Sequence, residues 1–139
     1  MRYFNSIIVH CTDTKQGVDV HVKDIDKWHR DNGWSGIGYH YLVCLDGVVE
    51  VGRGINVVGA HCKGHNANSV GIAYVGGRDK KGRFADTRTE AQKESLRMLI
   101  SKLTCQAVEA GFGIPRVYGH RDLDPCKECP CFDAAAEYD

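Results

Sequence analysis

SIIVHCT, residues 6 to 12, is an apolar run that ends in polar residues. Ile7, Ile8 and Val9 are consecutive β-branched residues, and this pattern predicts a buried β-strand. His10 then stands at the end of that strand, where a rigid scaffold commonly presents functional groups to a cleft lined by loops. The stretch therefore predicts both a core strand and a candidate functional residue.

Further strands are predicted in the middle of the chain and near its carboxyl terminus. YHYLVCL and VVEVG flank Asp46 and Gly47, and an Asp-Gly pair between two β-rich runs is a strong hairpin signal. SVGIAYVGG, residues 69 to 77, is a strand closed by two glycines. IPRVYGH is a short strand that, like the first, ends in a histidine, His120.

Two amphipathic helices and a short final helix are also predicted. Apolar residues at helical spacing from Val22 onward indicate a helix that terminates at Gly33. Thr89 and Gln92 form a capping box for a longer helix that ends before Gly111. CFDAAAEY has the composition of a short terminal helix.

The length and the order of these elements bound the fold. Strands that interleave with helices predict one α/β domain over residues 1–139, with a central mixed β-sheet flanked by helices. No apolar run approaches the length of a membrane span. Lys plus Arg and Asp plus Glu both number 18, so the basic excess typical of phosphate binding is absent. We expect a monomer that needs neither a membrane nor a nucleic acid.

Seven cysteines in the chain raise the question of their chemical state. The amino terminus, MRYFNSIIVHC, lacks the longer apolar core and the small-residue cleavage site of a secretory signal. We therefore expect synthesis in a cytoplasm, where reducing conditions disfavour structural disulfides. Free thiols or metal ligands are the expected states.

HRDLDPCKECPCFD, residues 120 to 133, carries one histidine and three cysteines. A zinc knuckle needs two closely spaced ligand pairs, and the pair Cys126 and Cys129 has no second pair to complete it. A catalytic zinc site needs only three ligands from separate elements. His10, His120 and Cys129 would supply two imidazoles and one thiolate, a set that suits zinc. On spacing alone, a zinc site and a purely structural role are about equally well supported for these three residues.

The chain resembles the type 2 N-acetylmuramoyl-L-alanine amidases in five ordered motifs. The motifs are SIIVHCT, GIGYHYLVCLDG, VGAHCKGHNANSVGIAYVGG, YGHRDL and KECPCFD. The resemblance covers nearly the whole chain, roughly residues 6 to 134. The resemblance is greatest to the small lysozyme-type amidases of phages, and peptidoglycan recognition proteins are more distant relatives.

The resemblance implies a function for individual residues. His10, His120 and Cys129 would bind one zinc ion, and Tyr39 and Lys127 would be the catalytic side chains. Without the resemblance, a tyrosine in an alternating strand is an ordinary packing residue and an isolated lysine is a solvated surface charge.

The resemblance also implies that His61, Asn66 and Asn68 line the substrate groove. A structural role is the alternative for these three residues, since asparagine stabilises loops through contacts with its own backbone.

One residue departs from the phage pattern, which places proline directly before the catalytic lysine. Here Cys126 is inserted between Pro125 and Lys127. The insertion brings a second thiol near the predicted metal and leaves open whether Lys127 still faces the cleft. Cys129 is the preferred ligand because the Pro-x-Phe-Asp that accompanies the family's ligand follows it alone.

The implied activity is zinc-dependent hydrolysis of the amide bond between N-acetylmuramic acid and L-alanine in peptidoglycan or muropeptides. Because no signal peptide is recognised, we expect an endolysin that acts on the cell wall after release. A cytoplasmic enzyme that recycles muropeptides by the same reaction is the alternative setting. A noncatalytic peptidoglycan-binding module and a zinc-knuckle nucleic-acid binder are the rival classes.

Overall fold

A computed structural model describes every residue from 1 to 139. No helix in it combines the length and the apolar character needed to cross a membrane. The strands are β1 (Ser6–Cys11), β2 (Thr14–Lys15), β3 (Tyr41–Val43), β4 (Val49–Val51), β5 (Ser69–Tyr74), β6 (Gly77–Arg78) and β7 (Arg116–Gly119). The helices are α1 (Val22–Asp31), α2 (Glu90–Glu109), α3 (His120–Leu123) and α4 (Ala134–Tyr138).

Five strands form the central sheet in the order β4-β3-β5-β1-β7. β1 runs parallel to both of its neighbours, and β3 runs parallel to β5. β4 is antiparallel to β3, and the turn between them contains Gly47 at φ +87°, a left-handed conformation that glycine adopts readily. The predicted hairpin and the predicted mixed sheet are both confirmed.

The strand predicted from SIIVHCT lies inside this sheet and is buried along its length. Ile7, Ile8 and Val9 have no exposed surface. Because side chains alternate along a strand, Ile7, Val9 and Cys11 pack into the larger core cluster with α2. His10 faces the other side of the sheet. Cys11 is therefore a core residue next to a histidine of the opposite face.

Helix α2 begins and packs as its sequence predicts. Thr89 Oγ1 accepts the Gln92 N–H at 3.1 Å, and Gln92 Oε1 accepts the Thr89 N–H at 2.9 Å. The buried Gln92 amide also donates to the carbonyls of Val43 and Val75, which ties the helix to the sheet. The buried apolar face comprises Leu96, Leu99, Ile100, Leu103 and Ala107.

The structure differs from the sequence-based elements at two places. The last strand ends at Gly119, one residue before His120, because the Asp122 carboxylate accepts the Gly119 N–H at 2.7 Å and starts the short helix α3. The strand predicted over residues 69 to 77 ends at Tyr74, and Gly77 begins β6, which pairs with β2 in a separate two-stranded sheet.

The carboxyl-terminal segment is attached to the sheet by buried contacts. Tyr74 donates its hydroxyl hydrogen to the Pro130 carbonyl at 2.6 Å. Phe132 is buried, and the Arg88 guanidinium lies 3.4 Å above the centre of its ring. Arg88 also forms ion pairs with Asp86 and Glu137. These contacts fix the backbone that carries Cys129.

We expect Arg88→Met to lower the free energy of unfolding by about 3 kcal/mol, the low end for removing one partner of a buried ion pair, because the carboxylates are partly solvated. Urea denaturation measures the loss. The matched control is Arg97→Met, which removes an exposed pair with Glu94 and should cost below about 1 kcal/mol. Equal losses in the two variants would show that the Arg88 contacts do not hold the segment.

Candidate active site

Two histidines meet at one edge of the central sheet. His10 is the fifth residue of β1, and His120 directly follows β7. Because β1 and β7 are parallel and Val9 pairs with Gly119, the two side chains leave the sheet at the same end. Their ring centres lie 4.6 Å apart.

Cys129 completes a group of three potential metal ligands. One ligand atom from each of His10, His120 and Cys129 lies within 4.8 Å of the other two. The thiol is held in place by the Cys11 N–H, which donates to Cys129 Sγ at 3.1 Å. The Arg121 N–H donates to the Cys129 carbonyl at 2.8 Å. The exposed Cys126 is not a member of this group.

The donor set fits a zinc ion. Burial lowers the pKa of His10 well below its ordinary value, and burial is also the largest cause of the lowered pKa of His120. Both rings are therefore neutral, which is the state that a metal ligand must have. Two imidazole nitrogens and one thiolate sulfur would leave a fourth tetrahedral position open for water or substrate.

His61 lies behind His10 and orients its ring. His10 Nε2 is 2.8 Å from His61 Nδ1, and His61 Nε2 is 3.3 Å from the Ser69 hydroxyl oxygen. Burial, followed by the charges of neighbouring histidines, lowers the pKa of His61 to about 3, so the ring is neutral and has one donor and one acceptor nitrogen. If His61 Nδ1 accepts this hydrogen bond, His10 donates through Nε2, and its Nδ1 is the nitrogen free to bind a metal. Such a partner fixes the tautomer and position of a metal-binding imidazole.

Two adjoining cavities open next to the ligands, and we call them together the active-site groove. The first has a volume of about 490 Å³ and contains Tyr39, Lys127 and Cys129 in its wall. The second has a volume of about 510 Å³ and is lined partly by His61 and Asn66. His120 and Lys127 line both cavities. The groove is therefore bordered by two of the candidate ligands, His120 and Cys129, and the third, His10, is buried beside them.

Tyr39 and Lys127 both reach the groove. The Tyr39 ring centre is 5.1 Å from that of His10. Burial raises the pKa of Tyr39, with the Cys129 thiol and other acidic groups adding to the shift, so the phenol keeps its proton. Lys127 is exposed and borders both cavities, so the inserted Cys126 does not turn its side chain away from the cleft.

The two asparagines have different positions. Asn66 borders the second cavity, and its Oδ1 accepts the N–H groups of His61 and Cys62, each at 3.0 Å. Asn68 is exposed and borders neither cavity; its carbonyl accepts the Ser6 N–H at the opposite end of β1. The structure thus brings Asn66 to the groove and leaves Asn68 outside it.

Two features of the site are not marked in the sequence. Ser69 supports His61, and the Cys11 backbone N–H supports Cys129. A single serine at the start of a strand carries no distinctive pattern, and every residue except proline has a backbone N–H. Only the fold shows that these groups reach the site.

Comparisons with known proteins show the family of this chain. The family described as N-acetylmuramoyl-L-alanine amidase matches residues 1–132. An endolysin of Klebsiella phage KP32 is 43% identical over 129 residues, covering 93% of this chain and 82% of that protein. Peptidoglycan-recognition protein SC2 of Drosophila simulans is 33% identical over 135 residues, covering 92% of this chain and 68% of that protein.

A solved structure has the same fold. The amidase LysC from Clostridium intestinale URNW matches with a TM-score of 0.80 and 32% identity, covering 98% of this chain and 82% of that one. The chain therefore belongs to the N-acetylmuramoyl-L-alanine amidase family. It is a cell-wall amidase, as the resemblance in its sequence implied.

We expect His61→Ala to raise the free zinc concentration that restores half of the hydrolytic activity by about 10- to 100-fold, the usual cost of losing a partner of a metal-binding histidine. Titration of the metal-free protein with buffered zinc measures this value. His65→Ala removes an exposed loop histidine and should leave it unchanged. Unchanged zinc dependence in His61→Ala would show that His61 does not position His10.

Proposed function

We propose that this amidase uses one zinc ion, held by His10, His120 and Cys129, to hydrolyse the bond between N-acetylmuramic acid and L-alanine in peptidoglycan. The observation that carries the proposal is the convergence of three donor atoms within 4.8 Å of one another, two of them on residues that border the active-site groove. These donors come from β1, from the start of α3 and from the carboxyl-terminal segment. Distant parts of the chain thus supply a set of ligands suited to zinc.

The zinc ion would supply a polarised carbonyl and a nucleophilic water that is deprotonated near neutral pH. The chain's own groups have complementary tasks. Lys127, which borders the same two cavities as His120, would offer its ammonium group to the negative charge that develops on the carbonyl oxygen of the substrate. Tyr39 Oη holds a proton and acts as a second donor. A preorganised donor of this kind contributes about 3 kcal/mol to stabilisation of the transition state.

We also propose where the substrate binds and where the protein acts. The second cavity, with His61 and Asn66, would hold a part of the substrate away from the cleaved bond. The relatives named endolysins support action on the cell wall after release from the cytoplasm. A net charge of zero is consistent with a protein that needs no nucleic acid, and we propose that it works as a monomer.

We expect His10→Ala and Cys129→Ser each to hold one zinc equivalent fewer than the unsubstituted protein and to lose hydrolysis, because two protein ligands bind the metal weakly. Elemental analysis after dialysis measures the zinc. Cys105→Ser, a change at an exposed thiol on α2, should alter neither quantity. Full activity in His10→Ala would contradict the proposed ligand set.

The assay of hydrolysis also separates the rival functions. Purified peptidoglycan should release new L-alanine amino termini without new reducing sugar ends, because only the amide bond is cleaved. Binding of peptidoglycan without this release would favour the noncatalytic module and would contradict the proposed reaction.

We expect Tyr39→Phe and Lys127→Met each to lower kcat by about 10²- to 10³-fold, since each removes one donor to developing charge. The bound zinc should be retained in both variants, because neither residue belongs to the ligand set. Lys102→Met, at an exposed position on α2, is the matched control and should keep full activity. Loss of zinc together with kcat would assign Tyr39 or Lys127 to the metal site instead.

A further inference from the structure

A second group of potential metal ligands lies away from the active-site groove. It consists of His21, just before α1, Cys44, just after β3, and Glu50, in the middle of β4. One ligand atom from each residue lies within 4.8 Å of the other two. None of the three borders either cavity of the groove. Two strands, β3 and β5, separate β4 from β1 in the sheet.

We propose that His21, Cys44 and Glu50 form a second site for Zn²⁺, with three protein ligands and one position open to solvent. This site is independent of the proposed active-site zinc, because the two groups share no residue. Imidazole nitrogen, thiolate sulfur and carboxylate oxygen are all established zinc donors. A thiolate and a carboxylate would together balance the charge of a divalent cation.

The distances in this group are near those of a tetrahedral zinc site. His21 Nδ1 is 3.8 Å from Cys44 Sγ and 2.8 Å from Glu50 Oε2. Zinc bonds of about 2.0 Å to nitrogen or oxygen and about 2.3 Å to sulfur place neighbouring ligand atoms about 3.3–3.6 Å apart. The Cys44 sulfur is therefore within about 0.3 Å of the spacing from His21 Nδ1 that a shared zinc would need, and the Glu50 oxygen would have to move away from that nitrogen by about half an ångström.

Each ligand is also held through atoms that would not touch the metal. His21 Nε2 is 3.0 Å from the Asp19 carboxylate, an arrangement that fixes the tautomer of a metal-binding imidazole. The second carboxylate oxygen of Glu50 accepts the Val22 N–H at 2.9 Å. Cys44 is buried in the smaller core cluster. These contacts limit the freedom that the side chains would lose on binding.

Capping of helix α1 explains only part of this arrangement. The Asp24 carboxylate accepts the His21 N–H, and Glu50 accepts the Val22 N–H, so the first turn is satisfied by carboxylates. A cap gives no role to a buried thiol next to the imidazole. His21, Lys23 and Glu50 line a surface depression, and the Lys23 ammonium is the charge there that opposes a cation. The depression gives the ion access from solvent.

The test counts zinc ions at saturation. We expect two equivalents in the unsubstituted protein and one in Cys44→Ala and in His21→Ser, with hydrolysis of peptidoglycan unchanged in both variants. Serine caps a helix well, so His21→Ser keeps α1 intact. Cys62→Ala, which removes a buried thiol outside both ligand groups, should still hold two. The proposal is overturned if the unsubstituted protein holds only one ion or if His21→Ser still holds two.

Cobalt substitution separates this proposal from the proposed active-site zinc. His10→Ala should still bind one Co²⁺ with a near-ultraviolet sulfur-to-metal absorption band, and adding Cys44→Ala should abolish the band. A band that survives Cys44→Ala in that background would overturn the second site. Loss of the first ion in His10→Ala tests the active site alone, so each proposal has its own outcome.

Discussion

The parallel pairing of β1 with β7 determines where the two histidines of the site lie. The register places Val9 opposite Gly119, so His10 and His120 leave the sheet at the same end. His10 and His120 are more than a hundred positions apart in the sequence, and they meet because β7 lies beside β1 in the sheet. The remaining parts of the site, the third ligand and the groove, are attached to this pair.

The third ligand depends on a different kind of restraint. Cys129 lies in an irregular segment, and its position is fixed by the buried Phe132 and by the hydrogen bond from Tyr74 to the Pro130 carbonyl. The N–H of Cys11 then aims the sulfur. Core contacts and backbone hydrogen bonds thus position this ligand in the absence of regular secondary structure.

Burial of polar rings at the site is accompanied by hydrogen bonds. His10 and His61 are both buried, and no buried side-chain nitrogen or oxygen lacks a partner. The chain from His10 through His61 to Ser69 satisfies each ring without a charged group. Burial of a neutral, hydrogen-bonded imidazole has a low free-energy cost, and the same neutral ring is in the protonation state that binds a metal.

The sequence predicted the elements whose signals are local. The strand of Ile7 to Val9, the Asp-Gly hairpin and the Thr89 capping box each depend on neighbouring residues, and all three are confirmed. The family motifs also led to the three potential ligands that the structure brings together. Their roles in binding and catalysis stay predictions.

Long-range packing decided what the sequence did not reveal. The contact between His10 and His61 joins residues 51 positions apart. The group of His21, Cys44 and Glu50 forms only when α1 docks on the β3–β4 hairpin, and no spacing rule connects a helix cap with a strand. Asn68 belongs to a recognised motif, yet it lies just before β5, beside Ser6 at the start of β1. This is the end of the sheet opposite to the candidate metal ligands.

A crystal structure of the zinc-loaded protein, with anomalous data collected at the zinc absorption edge, tests the central claim most directly. The proposed ligand set predicts an anomalous peak about 2.0–2.1 Å from a ring nitrogen of His10 and of His120 and about 2.3 Å from Cys129 Sγ. A peak bound to Cys126 in place of Cys129, or no peak between the two histidines, would contradict it.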